Sequence, residues 1–394
     1  MTTERVDVLV VGGGPVGCFA AALLAERGID VAVWERRADP PSGSRAIGIH
    51  PPSLDAFAAI GLDRAVLSEA VLVRTGVARS RGRELGALSF AGASATHPYV
   101  ATLDQHRTET LTRRRLPAGA LRTGTTLTGL HQDRSRVLAE GTGPDGSPRS
   151  VEAAFVVGAD GGHSTVRELL GIATRGRDYR HRYVMGDFAD PEDPSARSTA
   201  LVDVGPDGVV ESFPLPGGRR RYVALVGVTG EGSDRSDSTG TAAARLADVV
   251  AERTGSTPDP STCTMTSDFG VRRREATRTG IGRVVLVGDA AHEISPIGGQ
   301  GMNLGWLDVT SLVPMLATAL RAGAGATVPI TARTAWARRR RAAARRAARQ
   351  AEVNMALGLP AGVAGSRGRD ALLRTALALP TASTLAGLYA MRWA

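Results

Sequence analysis

Lysine is absent from the 394 residues, so all 48 side chains in the Lys+Arg count are arginine. The wholesale replacement reads as a coding bias, yet it excludes chemistry: a phosphate-loop lysine and a Schiff-base lysine have no residue to supply them. Aromatic residues are scarce at 4%, which leaves little for a surface that stacks nucleic-acid bases. Only two cysteines occur, Cys18 and Cys263, far apart and outside any CxxC pair. A disulfide scaffold and a cysteine zinc site are excluded, and a reducing cytoplasm is the expected compartment. The histidines show no HxxxH or His/carboxylate spacing, so no metal is expected. Gly-x-Ser-x-Gly is missing, which removes the anchor for a hydrolase. No hydrophobic run approaches the length of a membrane span, and the apolar run from Val6 to Val11 is too short for a signal peptide.

What is present fits a globular chain. Hydrophobic residues make up 42%, and the length suggests two or three domains. The net charge of +9 could favour an acidic substrate or a phosphate-bearing cofactor, but it reads first as a charged solvated surface. The seven arginines between Arg338 and Arg349 read as a solvated helix face, not a nucleic-acid or lipid contact.

The chain opens strand, glycine turn, helix, strand. Val8-Leu9-Val10-Val11 is a continuous apolar run, as for a strand buried on both faces. Val16, Phe19, Ala20, Leu23 and Leu24 then follow at helical spacing up to Gly28. Val31 to Trp34 forms a second strand that ends at Glu35. Ser53 to Ile60 and Gln105 to Arg115 read as helices. Residues 120–157 read as short strands around the turn Gly143 to Gly146, the last strand running into Gly158-Ala159-Asp160-Gly161. Tyr183 to Phe188, Ala200 to Val204, Val209 to Pro214 and Tyr222 to Val228 form a separate antiparallel sheet. Glu231 to Thr241 is expected as a mobile loop and Ala242 to Arg253 as a helix. Arg283 to Val287 is another buried strand, a long helix starts near Gly301, and the Ala/Arg/Leu-rich remainder from about residue 331 is helical.

Three segments carry chemistry. In Gly12-x-Gly14-x-x-Gly17, Gly12 permits the tight turn, Gly14 admits a pyrophosphate to the backbone, and Gly17 lets helix and strand pack closely. The helix starting at Pro15 and Val16 offers N–H groups and a favourable dipole to phosphates. Glu35, with Arg36 beside it, stands where an adenosine ribose needs an acceptor. Gly288-Asp289-Ala290-Ala291-His292 follows a buried strand, and Pro296 to Asn303 is a glycine-rich turn opening a helix. An aspartate at a strand end can bind a polyol, and the N–H groups of such a turn can stabilise a ring carbonyl that gains negative charge. That pair suits a reduced flavin.

With these segments in order, the chain resembles the class A flavoprotein monooxygenases, the para-hydroxybenzoate-hydroxylase-like family. It is most similar to bacterial members that hydroxylate phenols and aromatic polyketides. The matching elements are the GxGxxG turn, Gly158-Ala159-Asp160-Gly161 with Ser164 and Arg167, and the Gly-Asp segment. Ser44-Arg45-Ala46, Gln105 with Glu109, and Arg274-Glu275-Ala276 add to the likeness, which covers roughly residues 5 to 320.

The resemblance implies an α/β fold: a Rossmann-like FAD-binding domain with a three-layer parallel sheet, an inserted α+β substrate domain and C-terminal helices. The expected boundaries are 1–75, 98–175 and 272–330 for the discontinuous FAD domain, 76–97 and 176–271 for the substrate domain, and 331–394 for the helical segment. A thioredoxin-like C-terminal domain is not expected. By resemblance, Arg45 and Gln105 contact the phosphate or ribityl part of FAD, and Asp160 with Arg167 supports the FAD and nicotinamide sites. Asp289 holds the ribityl chain, Pro296 belongs to the same cofactor site, and Gly301, Met302 and Asn303 face the isoalloxazine. The implied reaction uses NAD(P)H and O2 to hydroxylate an aromatic or polyketide-like molecule through an FAD C4a-hydroperoxide. Epoxidation, Baeyer–Villiger insertion and simple reduction or dehydrogenation remain open on the same fold. No catalytic base is placed by the sequence, although the sheet of residues 176–270 is where one belongs. A monomer or homodimer without nucleic acid or integral membrane contact is expected.

Overall fold

The computed structural model describes residues 3–39, 46–190, 198–228, 239–378 and 382–394. Its central strand, Glu4–Val11, is buried over Val8 to Val11. It pairs in parallel with Val31–Glu35 on one side and Pro148–Gly158 on the other. The sheet continues to Leu121–Thr123 at one edge and, through Val284–Leu286, to Gly280–Ile281 at the other. Register decides what this sheet can do. Val11 lies opposite Gly158, and Gly158 lies opposite Leu286. Three parallel strands therefore stop at the same edge, and the three glycine turns that follow them stand side by side. The ladder extends into the turns: Ala159 N–H donates to Val11 O at 2.8 Å and Val287 N–H to Gly158 O at 2.9 Å. Ligands of open α/β sheets bind at this carboxyl edge.

Helices Pro15–Ala25 and Gly301–Arg321 cover one face of the sheet. Phe19, Leu23, Leu24, Phe57 and Trp306 share that core, each large apolar side chain contributing about 1.5–3 kcal/mol of transfer free energy. The antiparallel arm Thr126–Gln132 and Val137–Thr142 folds over the other face, where Leu127, Val137 and Ala139 pack with Leu9 and Trp34.

The second sheet has the order His292–Glu293, Met265–Ala276, Thr174–Ala189, Arg219–Val228, Gly208–Leu215, Thr199–Gly205, Thr75–Ser80, Arg83–Ser89. Side chains alternate between its faces. Val184, Val210 and Ala224 pack under helix Thr239–Thr254, while Met185, Glu211 and Val223 face the other way. Strands Thr174–Ala189 and Met265–Ala276 stay paired out to Thr174 opposite Ala276, past the expected bounds 176 and 271, and Arg274 meets Asp178 across them at 2.7 Å. Of the expected loop 231–241, residues 231–238 lie outside the described residues, and Thr239 to Thr241 begin the helix.

Helices Ile330–Leu357, Gly362–Ala378 and Ala382–Tyr389 complete the chain. The arginine run is not wholly a solvated face. Arg340 is buried, its Nε 2.7 Å from Asp308 Oδ1, while Arg341 and Arg345 bind Glu275. Among the described residues, no single helix is long and apolar enough to cross a membrane.

Candidate cofactor and substrate site

The three aligned turns open into one cavity of about 1610 Å³. Pockets for single drug-sized ligands run roughly 300–1,000 Å³, so this one has space for an extended dinucleotide and a second molecule. Its walls come from both sheets and from the C-terminal helices.

At one end, Gly12 adopts φ +106°, and a Cβ there would lie 2.4 Å from Ala159 O. Gly14 has nothing within 4 Å of the Cβ position, leaving open space over the start of the helix whose first residue is Pro15. A phosphate there meets free N–H groups. Glu35 is buried, accepting from Gly13 N–H at 2.6 Å and from the Arg37 side chain at 2.9 Å. Burial raises its pKa, but hydrogen bonds from the Arg37 side chain, the Arg37 backbone and Gly13 outweigh that and hold it below the usual carboxylate value. Glu35 is thus a fixed anion at the cavity wall, with lone pairs left for a hydroxyl. Arg36 lines the same end.

In the middle, Asp160 accepts from Ser164 Oγ at 2.5 Å and Val166 N–H at 3.0 Å. Burial raises its pKa. Gln105 lines the wall and donates to Glu109 at 2.7 Å. Asp289 has open surface toward the cavity and protein on its other sides. That enclosure, with Glu293 adding to it, pushes its carboxyl up to about 6. Pro296, Gly301 and Met302 line the cavity beyond it. His50 packs on the Gly298-Gly299 turn, its pKa lowered by burial to about 4, so it is neutral there.

Three expected contacts sit behind the wall instead. Gly17 touches the turn from below, where a Cβ would lie 1.8 Å from Gly12 O. Arg167 spends its guanidinium on Ala290 O at 3.1 Å and Gly162 O at 2.7 Å, tying two of the turns together. Asn303 is fully buried, donating to Gly48 O and Gly299 O and accepting from His50 N–H, each at 2.9 Å. All three are braces of the loops because their polar groups or their space are already taken by protein. Arg45 lies outside the described residues.

The residues present fit FAD. An adenosine acceptor, an open phosphate turn, a carboxylate facing the cavity and a glycine-rich turn at a helix start follow each other along one wall. Both polar atoms of buried Gln300, at that helix start, lack a partner among the described residues.

Beyond the turns, the wall is apolar: Met185, Val202, Phe213, Val223, Phe269 and Ile297, faced by Leu373 and Leu377 of the C-terminal helices. The polar exceptions include Glu211, Asn354 and Tyr389, with Tyr389 Oη donating to Asn354 Oδ1 at 2.8 Å. None of these was read from sequence. Glu211 carried a weak signal, a lone acid within the apolar strand Gly208–Leu215; Asn354 and Tyr389 carried none.

A family model described as an FAD binding domain matches residues 5–351. The 12-dehydrotetracycline 5-monooxygenase/anhydrotetracycline 6-monooxygenase of Streptomyces rimosus is 36% identical over 330 residues, covering 78% of this chain and 62% of that protein. Pentachlorophenol 4-monooxygenase of Sphingobium chlorophenolicum is 31% identical over 317 residues, covering 77% of this chain and 57% of that protein. The chain thus spans less than two thirds of the length of these relatives. Among solved structures, the p-nitrophenol 4-monooxygenase of Pseudomonas putida aligns with a TM-score of 0.83 at 25% identity, covering 99% of this chain and 97% of that one. The anhydrotetracycline hydroxylase of Streptomyces rimosus aligns at 0.78 and 31%, covering 98% and 76%.

Proposed function

Because the chain belongs to the FAD binding domain family, we propose that it is a single-component monooxygenase using NAD(P)H and O2 to hydroxylate an aromatic or polyketide-like small molecule. The observation that carries this reading is the continuity of the cavity. The turns that suit a flavin open directly onto an apolar chamber large enough for a ring compound. The named activities of the tetracycline and pentachlorophenol relatives point to the same substrate class.

When bound, FAD supplies hydride acceptance and the transfer of oxygen to a carbon atom. The chain's residues do the rest. Gly14 and the helix N-terminus receive the pyrophosphate, Glu35 the ribose, and Asp289 a ribityl hydroxyl. The N–H groups of the turn before Met302 would face the ring carbonyl that gains negative charge when the flavin is reduced. Asp160, with Arg167 bracing its turn, serves the approach of NAD(P)H. The apolar sheet face and the C-terminal helices orient the substrate and exclude water. A monomer or homodimer working in the cytoplasm fits this role.

The test is the visible spectrum of the purified protein, followed by NAD(P)H consumption and O2 uptake with 4-nitrophenol and anhydrotetracycline as probes. Bound FAD, and aromatic-dependent O2 uptake matched to nicotinamide oxidation, are expected. Extracted FMN in place of FAD, or nicotinamide oxidation that never draws on O2, refutes the reading. The second outcome would favour a reductase, and product structure separates hydroxylation from epoxidation or Baeyer–Villiger insertion.

A further inference from the structure

Five strands of the second sheet place one residue each in a single row across the chamber. Ala78 lies beside Val202, Val202 opposite Glu211, Glu211 opposite Val223, and Val223 opposite Met185. All five line the cavity. Four are apolar and the central one is a carboxylate. Val209 and Phe213, two positions either side of Glu211 on its own strand, also face the cavity and are apolar.

Glu211 has no hydrogen-bond or ion-pair partner among the described residues. A carboxylate set in an apolar wall without a partner costs stability unless something else provides one. Burial alone raises its pKa to about 7. Two phenols lie within its electrostatic reach: its charge adds to burial in raising both Tyr183 and Tyr389. Tyr389 is committed to Asn354, while the buried Tyr183 Oη has no partner among the described residues. Glu211 is thus an unused acceptor in the middle of an apolar row, whereas Arg221, opposite Phe213 and also lining the cavity, is committed to Asp187.

We propose that Glu211 is the proton acceptor that seats and activates a hydroxyl group on the ring compound in this chamber. The inference rests on the monooxygenase reading and deepens it by naming the residue that takes the proton of a ring hydroxyl. The hydroxyl proton moves toward a Glu211 oxygen, and the O–H electron pair stays on the ring oxygen. Electron density rises at the ring carbons ortho and para to it, the carbons that accept an electrophilic oxygen. No further reactant is consumed, and the proton returns to solvent after product leaves. A carboxylate whose pKa lies near neutral is suited to this exchange.

The experiment uses FAD-loaded wild-type protein and E211Q, with 2-naphthol and 2-methoxynaphthalene as probes, binding being read from flavin fluorescence. Wild-type protein is expected to prefer the naphthol over its methyl ether by roughly tenfold to hundredfold, the range for hydrogen bonds to a charged group. In E211Q the preference should fall by about tenfold, with ether affinity and FAD content retained, and E211D should recover part of it. Removal of an unpartnered charge should also leave the melting temperature of E211Q equal or higher. An unchanged preference in E211Q overturns the proposal, and so does a lowered melting temperature, which would make Glu211 structural. Failure of the wild-type protein to bind either probe is a different result, and it refutes the substrate chamber itself.

Discussion

Gly14, at the N-cap, and Gly17, in the first turn of the helix Pro15–Ala25, are glycine for different reasons, which alanine at each position separates. Gly14 has φ −75° and ψ −174°, a conformation open to any L-residue. A Cβ there meets nothing within 4 Å, so Gly14→Ala should fold. The gain of about 0.4–1 kcal/mol from the lost freedom of the unfolded chain is offset by alanine being a poorer N-cap than glycine, so stability should stay near wild type. On the proposed placement of FAD, the new methyl group stands where the pyrophosphate would approach the N–H groups of the helix start. Losing one such charge-assisted hydrogen bond costs about 1.5–3 kcal/mol, or roughly a tenfold to hundredfold loss of FAD affinity. At Gly17 the Cβ would lie 1.8 Å from Gly12 O and 3.3 Å from Val10 Cγ1. The first collision is with backbone, so helix and strand must separate. Overpacking of this kind costs about 1–3 kcal/mol, and sometimes more. Thermal melting of the flavin-free proteins and FAD fluorescence quenching measure the two effects. Gly14→Ala should melt normally and bind FAD poorly, and Gly17→Ala should melt early. Wild-type FAD affinity in Gly14→Ala would refute the placement of the pyrophosphate.

Asp289→Ala should weaken FAD roughly tenfold to hundredfold. The carboxyl, pushed up to about 6 in the flavin-free protein, favours ionisation once a ribityl hydroxyl donates to it. FAD binding then releases a proton, and affinity rises with pH up to about 6 and levels above it. A flat pH profile of FAD titrations would remove Asp289 from the site. Asp160→Ala loses the contacts to Ser164 and Val166, and should be reduced by saturating NADPH far more slowly in stopped flow while dithionite reduction stays normal. A wild-type NADPH rate in the folded variant would make the turn purely structural. Asp308 binds His292 at 2.6 Å, Arg340 at 2.7 Å and Gly288 N–H at 3.0 Å. Asp308→Ala leaves Arg340 buried and uncompensated, which should cost about 3–5 kcal/mol in urea unfolding; an unchanged midpoint would show that the network adds nothing.

The cofactor turns were legible in sequence because each is a local event. A buried apolar run, a glycine that relaxes the backbone and a helix start lie within a dozen residues, and Glu35 follows at the end of the next strand. The periodicity of Pro15 to Leu24 and of the helix from Gly301 is equally local. Tertiary structure decided what those turns do together. Their alignment comes from the pairing of Val11 with Gly158 and of Gly158 with Leu286, residues far apart in the chain. It also divided the motif residues into those that face the cavity, such as Gly14 and Asp289, and those that brace it, such as Gly17, Arg167 and Asn303. The burial of Arg340 depended on Asp308 arriving from another helix. Glu211 became a candidate only when the sheet order set it among Val202, Val223 and Met185, and when the C-terminal helices closed the chamber opposite. Backbone conformation and side-chain alternation follow from neighbouring residues, whereas the medium a side chain faces is set by whichever distant segment packs against it.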